Sequence, residues 1–275
     1  MENNLYKIMV LSDLSSTTKE TLKTTIEVAK IIGGEIQVFS VKRLTEVVDV
    51  DNQLSAMRSI NTEHSVIDKK LKKMIDSISG SQDITISYSF AFGNIKNQIS
   101  RYIDEKAPDI IVLGKRKNKP LSFIGDSITE FVLTTFEGPI LIASDKLTWE
   151  PEQKLSIGIL NGCSPSQSTR FASDLMLKVK KPIKSFKFVN DSEGSETQNI
   201  LQEEQMVEYA FDYTKGAING LSKYVSQNKV DLLFLDRESN NLNSQTTLET
   251  SDIRHIINKS KVSLLISDTR IQRLV

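Results

Sequence analysis

The chain carries one order of apolar strands twice, and that repetition restricts it to folds in which about half the chain closes on itself. Asp109-Ile110-Ile111-Val112-Leu113-Gly114 returns as Asp231-Leu232-Leu233-Phe234-Leu235-Asp236. Pro139-Ile140-Leu141-Ile142-Ala143-Ser144-Asp145 returns as Val262-Ser263-Leu264-Leu265-Ile266-Ser267-Asp268. The two matches keep nearly the same offset, which points to a duplicated domain rather than chance apolar runs. The copies differ in glycine. The first has Gly114 at the end of a strand and Gly125 before a helix. The second has Asp236, and no glycine from Leu221 to Val275. A loop that cradles an anion needs glycine where backbone must come close. The first copy is therefore the one expected to hold a ligand.

The 275 residues suit two domains, expected at 1–147 and 153–275, each large enough for its own core. The boundary falls at Lys146–Gln153, where Trp149 and Pro151 interrupt polar residues. With 35 basic and 35 acidic side chains, there is no global electrostatic case for nucleic acid or an anionic membrane. No apolar run approaches the ~20 residues of a membrane span. Met1–Tyr6 lacks the basic start and apolar core of a signal peptide. Cys163 is the single cysteine, so no internal disulfide can form, and a reducing cytoplasm is the natural setting. His64 and His255 lie in different halves, without Cys or carboxylates at metal-binding spacing.

Short runs rich in Ile, Val and Phe, apolar on both faces, read as parallel strands buried between helices. In the first half they fall near Tyr6–Ser12, Glu35–Val41, Ile84–Phe90, Asp109–Leu113 and Pro139–Ala143. Thr17–Ile32 is an amphipathic helix, its start marked by Thr17 and Glu20 as a capping box and its end by Gly33-Gly34. Gln53–Ile78, Asn94–Glu105 and Ser127–Phe136 follow as helices, and Lys69, Lys70, Lys72 and Lys73 read as a solvated face. The second half repeats the order, with strands near Leu155–Leu160, Ile183–Val189, Met206–Tyr213, Asp231–Leu235 and Val262–Ser267. Its first helix is expected to open at Ser164 and Pro165. Such alternation implies, in each half, a five-stranded parallel α/β sheet with helices on both faces and right-handed crossovers.

Ligands in open parallel sheets sit beyond the carboxyl ends of the strands. Asp13 follows the first strand, Val41 ends the second, and a loop from Gly114 to Ser127 follows the fourth and opens a helix. The loop carries Lys115, Arg116, Lys117 and Lys119 ahead of a helix N-terminus, a combination suited to phosphate. Asp13 also fits a plainer role, shaping its own turn. No nucleophile elbow, Ser-His-Asp grouping or Walker-type Gly-Lys-Ser/Thr is present.

In these residues the chain resembles a tandem universal stress protein. The resemblance covers both halves. It implies an adenine-nucleotide alpha-hydrolase-like, Rossmann-like fold. Asp13 matches the aspartate after the first strand, Val41 the strand end beside adenine, Gly93 the glycine after the third strand, and Gly114, Gly125 and Ser127 the phosphate loop. Lys117 stands where that loop has its second glycine, and Asp126 where it has a hydroxyl. A carboxylate at Asp126 would repel phosphate unless magnesium lay between them. The resemblance implies a non-enzymatic cytoplasmic stress-response or signalling protein acting on a protein partner. The alternative it implies is a sensor binding ATP or AMP with magnesium in the first domain through Asp13, Val41, Gly114, Lys117, Gly125 and Ser127. Weak ATP hydrolysis is a third reading. Flavin binding, suggested by the hydroxyl-rich Ser12–Thr18, lacks its glycine, and a phospho-receiver would need a second acidic residue beside Asp13. The second domain, with Asn161 near the position of Asp13, is expected to bind no nucleotide. The resemblance further implies self-association through the final strands, Ile140–Ala143 meeting Leu264–Ser267 antiparallel as an internal pseudo-dimer, with the same pairing open to a homodimer.

Overall fold

The computed structural model describes residues 5–47, 53–78, 84–115, 128–144, 155–160, 170–179, 183–189, 206–212, 216–237 and 250–267. The chain divides into two compact units, Met1–Lys115 and Arg116–Val275.

The first unit is a parallel sheet of four strands: β1 (Tyr6–Ser12), β2 (Gly34–Lys42), β3 (Ile86–Phe92) and β4 (Ile110–Gly114), in the order β3-β2-β1-β4. Consecutive residues such as Ile8, Met9 and Val10 of β1, or Ile110, Ile111 and Val112 of β4, are buried. Both faces are therefore covered, which is why the strands read as unbroken apolar runs. Helices α1 (Thr18–Ile32), α2 (Gln53–Asp76) and α3 (Ile95–Lys106) connect successive strands. Helix α1 packs on β1, β2 and β4 through Leu22, Ile26 and Ala29, while Ile67, Leu71 and Ile75 form the buried row of α2. Each buried Ile or Leu contributes roughly 1.5–3 kcal/mol.

Two helix ends decide the turns of this unit. Gly33 caps α1 at φ 78, a left-handed conformation that costs a side chain energy, and hands the chain directly to β2. The expected capping box at the start of α1 does not form. Thr17 lies at φ −81, ψ −15 and makes no side-chain cap; its hydroxyl bonds that of Ser15 at 3.0 Å instead. Glu20 pairs with Lys23 at 3.2 Å. A hydroxyl one residue inside a hydroxyl-rich turn has a competing local partner, and that partner wins here.

The second unit holds α4 (Ile128–Thr135), β5 (Ile140–Ala143), β6 (Ile157–Leu160), α5 (Arg170–Lys178), β7 (Ile183–Val189), β8 (Met206–Asp212), α6 (Ala217–Gln227), β9 (Leu232–Asp236), α7 (Thr250–Lys259) and β10 (Ser263–Ser267). Its strands run β5-β10-β9-β6-β7-β8. The stretch β8-β7-β6-β9 repeats the order β3-β2-β1-β4 of the first unit, and all of its pairings are parallel. A smaller device is repeated as well. Asp109 receives the Lys7 N–H on its carboxylate at 2.8 Å and returns its own N–H to the Lys7 carbonyl at 3.0 Å. Asp231 does the same to Ser156, at 2.7 and 2.9 Å. Two residues before each aspartate the backbone is left-handed, at Ala107 (φ 44) and Lys229 (φ 50). Duplication is thus written in geometry as well as in sequence. As expected, β5 and β10 pair antiparallel, Leu265 opposite Leu141. Ser164, Pro165, Cys163 and Asn161 lie outside the described residues, as does the stretch 190–205.

Candidate functional site at the carboxyl edge of the first repeat

Register brings three of the expected residues to one edge. Ser12 pairs with Ser40 across β1 and β2, and Leu11 pairs with Leu113 across β1 and β4. Asp13, Val41 and Gly114 each follow one of these paired residues, so all three stand at the carboxyl ends of adjacent strands, where the twist of an open sheet leaves its ligand crevice. Asp13 is exposed, and Val41 and Gly114 are half-buried. Lys117, Gly125 and Ser127 lie outside the described residues, together with Asp126.

The turn from β1 into α1 holds Asp13 through its neighbours. The Asp13 carboxylate accepts the Ser15 N–H at 3.0 Å, the turn-shaping role open to any aspartate. Leu14 adopts φ 56, uncommon for a side chain of its size. Three contacts sustain it. The Ser12 hydroxyl accepts the Leu14 N–H at 3.0 Å, the same hydroxyl bonds that of Thr18 at 3.1 Å, and the Lys70 ammonium donates to the Leu14 carbonyl at 2.8 Å. Lys70 is therefore more than part of a solvated face. Sequence alone could not show this, because Lys70 is 56 residues from Leu14. At the end of β2, Lys42 pairs with Glu63 of α2. Gly93 follows β3 at φ 137, a conformation close to glycine's alone, and donates its N–H to the Lys42 carbonyl at 2.9 Å. Asn94 then caps α3 by accepting the Asn97 N–H at 3.2 Å.

Gly114 has a specific steric reason. A Cβ at this position would lie 2.4 Å from Oγ1 of Thr21, which is buried in α1. Glycine here lets the helix lie close to the strand end. Its backbone is not left-handed, so the residue serves close packing at the edge.

The second repeat uses the equivalent place differently. Asp236 ends β9, 6% exposed. Arg237, which follows it, donates its backbone N–H to the Ser267 carbonyl at 2.9 Å. Its guanidinium caps the end of α4. Nη1 donates to the carbonyls of Leu133 and Phe136, both at 2.8 Å, and Nη2 to those of Glu137 at 3.2 Å and Gly138 at 2.7 Å. A cation at a helix C-terminus meets the negative end of the dipole and the unsatisfied last carbonyls together. Where the first repeat has Lys115 after its strand, the second thus has Arg237 as an internal clamp. Nearby, Arg254 of α7 pairs with Glu130 of α4.

A family model described as the universal stress protein family matches residues 5–144. The chain belongs to the universal stress protein family. Across its whole length it is similar in fold to a universal stress protein from Archaeoglobus fulgidus DSM 4304, at 14% identity and TM-score 0.68, with 96% of this chain and 98% of that one covered. A protein of unknown function from Pseudomonas aeruginosa PAO1 is similar at 11% identity and TM-score 0.59, with 96% and 93% covered. No curated protein sequence matches the chain. For this universal stress protein, the nearly complete overlap with the Archaeoglobus chain extends the fold likeness through the second repeat. Among the described residues, no helix is long and apolar enough to cross a membrane.

Proposed function

We propose that this universal stress protein is a non-enzymatic, cytoplasmic stress-response or signalling protein, in which the first repeat receives an adenine nucleotide and the second is scaffold. Its output is a contact with a protein partner. The observation that carries the reading is the asymmetry of the two strand edges. In the first repeat Asp13, Val41 and Gly114 share one edge, and Asp13 is exposed. In the second, Arg237 is spent on four carbonyls of residues 133–138. A carboxylate accepts from ribose hydroxyls, backbone at a strand end can flank adenine, and Lys117, Gly125 and Ser127 would meet phosphates with magnesium. The ligand acts as a signal in this reading, so ATP bound at the edge is released unchanged.

Two measurements on one preparation test this. Denatured protein is chromatographed for co-purified nucleotide, and phosphate release from magnesium ATP is followed over hours. Nucleotide bound without turnover supports the reading. Phosphate release that is lost in an Asp13→Ala, Gly125→Ala variant would show an enzyme instead.

A further inference from the structure

We propose that β3 is a pairing edge for a second copy of this chain, the two strands running antiparallel about a two-fold axis at Ser89. The proposal is independent of nucleotide binding. Among the described residues, β3 is the outer strand of its unit, paired only with β2. Ile36 donates its N–H to the Thr85 carbonyl and Gly93 its N–H to the Lys42 carbonyl, both at 2.9 Å. Alternate residues of a strand turn both backbone groups to the same neighbour. Thr85, Ser87, Ser89, Ala91 and Gly93 therefore face β2. Ile86, Tyr88, Phe90 and Phe92 turn their N–H and C=O groups to the open side.

Native edge strands are usually blunted by charge, proline, a bulge or shortness. The seven residues of β3 are Ile-Ser-Tyr-Ser-Phe-Ala-Phe, with no charge, proline or glycine. Its register with β2 runs unbroken from Ile86 to Phe92. By contrast β8, the outer strand of the other unit, carries Glu208 and Asp212 in its sequence.

The chemistry favours a second copy as occupant. About a two-fold axis at Ser89 no pair of like charges is brought together, because β3 has no charged residue. With the axis at Ser89, the open residues pair as Tyr88 with Phe90 and Ile86 with Phe92, apolar with apolar. On the other face Ser87 meets Ala91, small with small. The hydrogen-bonded positions of such a pair are the residues whose backbone groups already point outward.

Helix α2 extends the same surface. Asp68 accepts the Tyr88 hydroxyl at 3.0 Å and the His64 ring lies 4.6 Å from that of Phe90, so this side of α2 covers β3. Glu63 and Lys70 reach the opposite way, to Lys42 and to the Leu14 carbonyl. Met57 and Leu54 lie on the Asp68 side at helical spacing, and they are 61% and 67% exposed. Exposed apolar side chains beside an open, uncharged edge are a surface suited to self-association.

Sedimentation of the full chain, up to about 100 µM, tests the proposal in the range of weak homodimers. The wild type is expected to form a dimer. Ser87→Lys with Ala91→Lys sets lysine against lysine at both small pairs and should weaken the dimer about tenfold. Ser87→Lys with Ala91→Glu sets lysine against glutamate and should restore it, which separates repulsion from misfolding. A monomeric wild type, or equal dimerisation in all three chains, overturns the proposal. Loss of the dimer in both variants overturns the register about Ser89.

Discussion

At the scale of single residues, Gly114 stands out in the sequence as a candidate ligand contact, and the structure gives it a packing role. A motif read from sequence offers the ligand as the reason for a glycine, whereas its packing reason lies in Thr21, 2.4 Å from where a Cβ would be. Gly114→Ala should therefore destabilise the protein by about 1–3 kcal/mol, as overpacking does. Thr21→Ala in the same chain should recover most of that loss. Urea denaturation of the single and double variants is the check, and strict additivity would contradict the contact. Tyr224 offers a second prediction. A hydrogen bond with the Tyr209 side chain, followed by burial, pushes its phenol up to about 12. The neutral phenol is the form that folding favours. Its contribution to stability is therefore complete below the ordinary tyrosine range near 10 and lost as pH rises from there through about 12. Tyrosinate absorbance should show a late-titrating phenol, and Tyr209→Phe should bring it earlier.

At the scale of elements, the strands were legible because burial on both faces leaves an unbroken apolar run. Their ends shifted by a residue or two: β3 runs Ile86–Phe92 rather than Ile84–Phe90. Hydrogen bonding to β2 sets that end, and a pairing partner cannot be read locally. The capping box at Thr17 failed for a related reason, since Ser15 offered its hydroxyl a nearer partner. Arg237 was invisible as a cap because the carbonyls it serves lie 99 to 104 residues earlier in the chain. Arg237→Ala should cost about 2–3 kcal/mol, the range for hydrogen bonds to a charged group with a lost helix cap. Arg237→Lys should recover little, because an ammonium lacks the planar fork that serves several carbonyls together. Thermal unfolding of the two variants decides between a fork and a mere charge.

At the scale of the molecule, duplication was the most legible feature, and β5 against β10 was its most specific consequence. A chain of residues 5–144 alone would leave the β5 edge without β10, its antiparallel neighbour here. It should dimerise or precipitate, and a soluble monomer in sedimentation would count against that dependence. The candidate site was legible only in part. Asp13, Val41 and Gly114 could be placed because register follows from the strands, whereas the tether from Lys70 to Leu14 joins α2 to a turn 56 residues earlier in the chain. We propose that the two repeats are asymmetric, the first receiving a nucleotide while Arg237 of the second serves as a helix clamp. Calorimetric titration of magnesium ATP into the full chain tests it most directly. One site per chain, absent in Asp13→Ala, is the predicted result. Two sites per chain, undiminished heat in Asp13→Ala, or no heat at millimolar ligand would contradict it.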